Sequence, residues 1–146
     1  MKRKTTKAGL DIIKKWETLR LKPYWDNYAK QWVIGYGHTR TAASNMPAIT
    51  KAQADEMLKG DVYISEMYVQ ANFPKLRQCQ FDAVVSLIYN IKIKNFKKTK
   101  LYKLLKENPD SKHVSGEWIE FRNSGGVYLR GLLRRRLDEL NLYYPW

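Results

Sequence analysis

The segment WETLRLKPYWDNYAKQWVIGYGHT, Trp16 to Thr39, decides how the rest of the chain is read. Upstream, Leu10, Ile13 and Glu17 recur at i, i+3 and i+7, so a helix that buries Leu10 and Ile13 carries the Glu17 carboxyl on the same face. Burial disfavours the charged form of a carboxyl, so Glu17 is expected to hold a proton that it can donate to a leaving group. Asp26, nine residues on, lies among Trp25, Asn27 and Tyr28 in a polar turn between two strand-like runs, where it is expected to stay ionised. Two carboxyls in such contrasting settings meet the requirement for acid-catalysed glycoside cleavage.

Outward from this segment the pattern is α-dominated. A first helix is expected over about 8–18, preceded by a basic arm that starts to order near Lys7. Aromatic and β-branched residues from Lys22 to Thr39 surround the turn Asp26 to Lys30. They predict a small antiparallel sheet, in which Gly35 and Gly37 permit sharp bends. Thr50 and Gln53 form a capping-box pattern, opening a helix to about Gln70 in which Met57, Met67 and Tyr68 are expected to pack. Leu76 to Ile91 is apolar on nearly every side and reads as a central helix. Further helices are expected over about 99–107, 111–121 and 129–142, with Asn108, Pro109, Gly125 and Gly126 at the joints.

Composition narrows the function classes. The 146 residues suit one domain with its own core. One cysteine, Cys79, excludes an internal disulfide and reads as a small buried hydrophobe; two distant histidines make no zinc pattern, and no metal or cofactor is expected. The formal charge of +13 calls for an anionic partner, such as an envelope polymer or a membrane surface. The basic residues run from Lys2 to Arg136 without one stripe or a nucleic-acid motif, so nucleic acid is not expected. No apolar run approaches the roughly 20 residues of a membrane span. Lys7, Asp11, Lys14 and Lys15 interrupt what would be the core of a signal peptide. The expectation is a monomer that stays cytoplasmic until it is released to the cell wall.

The sequence resembles the phage-type lysozymes or endolysins, glycoside hydrolase family twenty-four. Glu17 and Asp26 reproduce that family's acid spacing, and WVIGYGHT, Trp32 to Thr39, follows its strand WTIGYGHT. ITKAQADEMLKGDV resembles the long helix between the lobes, QFDAVVSLIYN the central helix, and SGGVYLRGLLRRRLDE the closing segment. The resemblance implies an α+β fold with a small sheet lobe (about 18–49), a long interlobe helix (about 50–70) and a helical lobe (about 71–146, with the N-terminal helix). A cleft would lie between the lobes. The implied activity is that of a muramidase cutting peptidoglycan glycan strands in bacterial cell lysis, or that of a weakened descendant that only binds wall glycan. Glu17 would be the general acid, and Asp26 would guide water or stabilise the cationic transition state. His38 would pair with Asp61 in a structural role. Arg135 matches an arginine that pairs with the catalytic glutamate, while two of Arg134 to Arg136 are expected on a solvated face.

The chain also departs from the family pattern. Val33 replaces a threonine whose hydroxyl helps hold the attacking water, Thr18 follows Glu17 where glycine is usual, and Lys92 and Lys94 replace glycines after Asn90. Valine keeps the shape and loses the hydrogen bond.

Overall fold

The computed structural model describes residues 2–145. In chain order the elements are α1 (Lys7–Glu17), β1 (Arg20–Asp26), β2 (Gln31–Gly35), α2 (Lys51–Asn72), α3 (Gln78–Ile91), α4 (Ile93–Phe96), α5 (Lys100–Glu107), α6 (Val114–Ile119), β3 (Asn123–Ser124), β4 (Val127–Tyr128) and α7 (Arg130–Tyr143). They form two compact units. One is Ile13–Tyr63; the other takes in the chain up to Ile12 and from Ile64 onward. Both α1 and α2 therefore begin in one unit and end in the other.

In the unit Ile13–Tyr63, β1 and β2 make an antiparallel hairpin with Tyr24 opposite Val33, Trp25 opposite Trp32 and Asp26 opposite Gln31. The register shifts between Arg20 and Tyr24, where Pro23 has no N–H to give to a ladder. Gly35 and Gly37 take positive φ (66° and 81°), and the chain turns back so that His38 pairs with Ile34 through both backbone hydrogen bonds. Helix α2 opens with the expected capping box: Gln53 N–H donates to Thr50 Oγ1 at 3.1 Å, and Thr50 N–H to Gln53 Oε1 at 2.8 Å. Ala54, Leu58 and Val62, at helical spacing, are buried with Ile13, Val33, Ile34 and Tyr36.

In the other unit α3 is buried without interruption from Gln80 to Tyr89, as a central helix should be, and packs chiefly against α7. Tyr68, Phe73, Phe96 and Tyr102 meet edge to face at centroid distances of 5.7–6.3 Å. That arrangement suits ring quadrupoles. Glu139, fully buried on α7, gathers the polar groups of three helices. It accepts from Ser86 Oγ at 2.5 Å and Trp118 Nε1 at 3.1 Å, and Arg135 Nε and Arg136 Nη2 donate to it at 3.3 and 3.1 Å. A buried carboxylate is tolerated only when paired and hydrogen-bonded in this way.

Several expectations are corrected. The basic arm is ordered well before Lys7. Arg3 Nη1 donates to Leu76 O at 2.5 Å and stacks on Phe81, Thr5 N and Oγ1 donate to Glu66 Oε2 at 2.6 and 2.7 Å, and Thr6 donates to Asp82 from both its N and its Oγ1. Met67 is exposed rather than packed, and Cys79 is half-buried, with Sγ 3.9 Å from Tyr143 O. Arg136 joins Arg135 in the buried network, so only Arg134 fits a solvated face. Gly125 and Gly126, read as a joint, take φ of 57° and 80° and close the short hairpin β3–β4. Positive φ at both central residues is the requirement of a type I′ turn. Helix α6 is shorter than expected because Ser111 and Asn108 side chains accept from the backbone N–H groups of His113 and Asp110, which holds that stretch in turns.

Gly9 marks the tightest approach in α1. A Cβ there would stand 2.6 Å from Thr5 Cγ2 and 2.9 Å from Asp82 Cβ, and both of those residues are fixed by hydrogen bonds. Gly9→Ala is expected to destabilise the protein by about 1–3 kcal/mol in urea unfolding, despite alanine's higher helix propensity. A neutral or stabilising result would contradict this packing.

Candidate active site

Glu17 is the last residue of α1, and Thr18 breaks the helix in the left-handed region at φ 56°. Glycine enters that region freely, whereas a β-branched side chain is strained there. Glu17 itself is half-buried, less enclosed than its helix face implied, although Ile13 one turn earlier is fully buried.

Asp26 ends β1 and is built into the hairpin turn. Its Oδ1 accepts from the backbone N–H of Tyr28 (2.9 Å) and Ala29 (3.1 Å), while its carbonyl accepts from Lys30 N at 2.7 Å. These bonds fix the carboxylate's orientation and occupy Oδ1, leaving Oδ2 outside the turn's hydrogen bonding.

Residues two apart on a strand share a face, and directly opposed residues share it too. One face of the hairpin therefore carries Tyr24, Asp26, Gln31 and Val33, and the other carries Trp25 against Trp32, ring centroids 5.5 Å apart. Val33 is buried opposite Tyr24, and the Arg20 guanidinium stacks 4.8 Å from the centroid of the Tyr24 ring. Burial chiefly pushes the Tyr24 phenol above its ordinary value. The Arg20 guanidinium opposes that shift, and the Asp26 and Glu17 carboxylates add to it. Tyr24 and Arg20 were not singled out from the sequence, although strand alternation already put Tyr24 on the face of Asp26.

His38 and Asp61 are brought together. His38 Nδ1 lies 2.8 Å from Asp61 Oδ2 with both side chains largely buried, Nε2 lies 2.6 Å from Thr41 Oγ1, and Arg40 adds a contact to Asp61 at 3.2 Å. The ring nitrogens are therefore saturated within the protein, which suits a structural part. An open groove of about 740 Å³ beside this pair is lined by Arg40, Met46, Ile49 and Met57 among others, and includes neither acid. Arg135 lies in the other unit, held by Glu139 and by Ser86 O, to which Nη2 donates at 3.1 Å.

An acid ending a helix, a second acid in the first hairpin and a helix-rich remainder define a lysozyme-like protein. Over residues 14–139 the chain matches the family model of phage lysozymes, and it belongs to that family. It is 34% identical to the endolysin of Bacillus phage PZA over 143 residues, covering 94% of this chain and 54% of that relative. It is also 34% identical to the endolysin of Acyrthosiphon pisum secondary endosymbiont phage 1, covering 94% and 96%. The chain thus spans about half the length of the Bacillus phage relatives it matches. Among solved structures, the muramidase domain of SpmX from Asticaccaulis excentricus superposes with a TM-score of 0.89 at 29% identity, covering 99% of both chains. The active form of the P1 phage endolysin gives 0.83 at 25%, covering 95% of this chain and 84% of that one.

Replacing Thr18 by glycine removes the left-handed strain and adds back some unfolded-state entropy, for a net stabilisation of about 0.5–1 kcal/mol. A thermal melt should show a higher Tm for Thr18→Gly. An equal or lower Tm would mean that the threonine side chain makes a compensating contact.

Proposed function

We propose that the chain is a peptidoglycan hydrolase that cleaves the glycosidic bond between N-acetylmuramic acid and N-acetylglucosamine. The observation that carries this reading is the hairpin site, where Glu17 ends the helix that leads into β1 and Asp26, at the end of β1, is oriented by two backbone N–H groups. Glu17, as the carboxylic acid, gives its proton to the glycosidic oxygen as the bond to the anomeric carbon breaks. Asp26, through Oδ2, then guides the attacking water or balances the positive charge on the sugar ring. Water supplies the new hydroxyl at the anomeric carbon. Its remaining proton restores the acid.

Related proteins support the reading, since one of the structures named above is described as a muramidase domain and another as an active endolysin. The intended partner is the peptidoglycan glycan strand, reached after synthesis in the cytoplasm and release to the wall, with the chain acting as a monomer. Among the described residues no helix is long and apolar enough to cross a membrane. His38 with Asp61 stiffens the loop that follows β2, and Arg135 serves as a buried anchor.

Clearing of a suspension of purified sacculi tests the proposal. Wild type should reduce turbidity, and Glu17→Gln should lose about 10²–10⁴-fold in rate while folding normally. Binding without clearing by the wild type would instead favour a glycan-binding module. Val33→Thr would put a hydroxyl on the face that carries Asp26, and its turnover on the same sacculi should rise. Equal or lower turnover would show that the valine costs nothing.

A further inference from the structure

Between Asp82 and Glu107 the chain has no acid, and seven lysines stand within residues 92–106, more than half of the formal charge of +13. The structure divides them into two sets. Lys92, held at φ 75°, turns back so that Nζ donates to Tyr89 O at 3.0 Å, and Lys106 lies over the rings of Phe73 and Tyr102 at 5.8 and 5.7 Å. Lys94, Lys97, Lys98, Lys100 and Lys103 are exposed along α4, the turn after it and α5. Among the described residues none of these five has a carboxylate partner. Four lysines elsewhere do have one, Lys7 with Asp11, Lys14 and Lys51 with Asp55, and Lys59 with Glu56.

Five unneutralised like charges within ten residues repel one another, and Lys100 and Lys103 stand three apart on the surface of α5. The backbone cannot spread to relieve this, because Phe96, Leu101 and Leu105 anchor the same stretch in the core. Mobile counterions screen these charges in solution, and an extended anion can displace those counterions. Residues 92–106 expose no large apolar side chain, so the face lacks the wedge that a membrane-inserting surface uses. Ammonium groups are compact, strongly hydrated point charges without the bidentate geometry of arginine, and they suit a hydrated, repeating anion better than a single stereospecific one.

We propose that the α4–α5 face binds a hydrophilic phosphodiester polymer of the bacterial envelope, holding the enzyme at the wall while the glycan is cut. This inference rests on the wall-hydrolase reading for the place where the polymer is met. The Glu17→Gln variant of the 146-residue chain, which leaves the target intact, is to be titrated onto three probes over a range of salt concentrations. The probes are sacculi carrying covalently attached poly(glycerol phosphate), the same sacculi stripped with hydrofluoric acid, and phosphatidylglycerol vesicles.

Binding to the phosphate-bearing sacculi should be at least about tenfold tighter than to the stripped ones and should weaken log-linearly with salt. Adding K94Q, K97Q, K98Q and K103Q should cost about tenfold or more, while K51Q, K59Q, K75Q and K112Q, which remove the same charge elsewhere, should cost less than about threefold. Equal losses in the two sets, equal binding to stripped sacculi, or tighter binding to the vesicles would each overturn the inference. Clearing of stripped sacculi with Glu17 restored reports separately on the parent reading, and the four-lysine variant should match wild type there.

Discussion

A single left-handed residue, Thr18, separates the helix that ends in Glu17 from the strand that ends in Asp26. Everything in the candidate site depends on that reversal. A right-handed residue at 18 would carry the helix onward, and the next residues could not enter β1 two positions later. The strand then passes an irregular register at Pro23 and settles into alternation, which puts Tyr24 and Asp26 on one face and Trp25 on the other. The hairpin turn finishes the job by giving two backbone N–H groups to Asp26. The first acid is thus aimed by a helix end, and the second by a turn. Two different devices orient the same functional group.

The helical unit solves a different problem, the burial of charge. Glu139, Arg135 and Arg136 all lie on α7 and are almost wholly inaccessible. They are tolerated because Ser86 of α3, Trp118 of α6 and the carbonyls of Ser86 and Phe121 add hydrogen bonds to the ion pairs among them. Such a cluster is a weak source of stability, but removing one member leaves the others uncompensated. It acts as a register pin between α3, α6 and α7. The N-terminal segment is pinned in the same manner, with Thr5 and Thr6 supplying donors to the buried carboxylates of Glu66 and Asp82.

Much of the fold was legible because local signals are self-sufficient. The Thr50–Gln53 capping box fixed the start of α2, the unbroken apolar run identified α3, and the glycines at and just past the end of β2 bent the chain back at His38. What escaped depended on partners distant in sequence. Arg136 looks like a surface arginine until the carbonyl of Phe121, from outside its helix, accepts from it, and the arm before Lys7 looks free until Asp82 arrives 76 residues later to meet Thr6. The hairpin β3–β4 escaped for a different reason: each strand has two exposed residues, too few to show alternation, and only the paired glycines carried its signal. At the candidate site, spacing and family pattern single out the two acids. The Tyr24 phenol and its stacked arginine needed the strand register.

The central claim is that Glu17 and Asp26 direct water onto the bond next to N-acetylmuramic acid. Analysis of the muropeptides released from purified sacculi tests it most directly. The account predicts new reducing ends on N-acetylmuramic acid that are missing from a Glu17→Gln digest. Ends carrying 1,6-anhydro-N-acetylmuramic acid, or the same products from the variant, would contradict it.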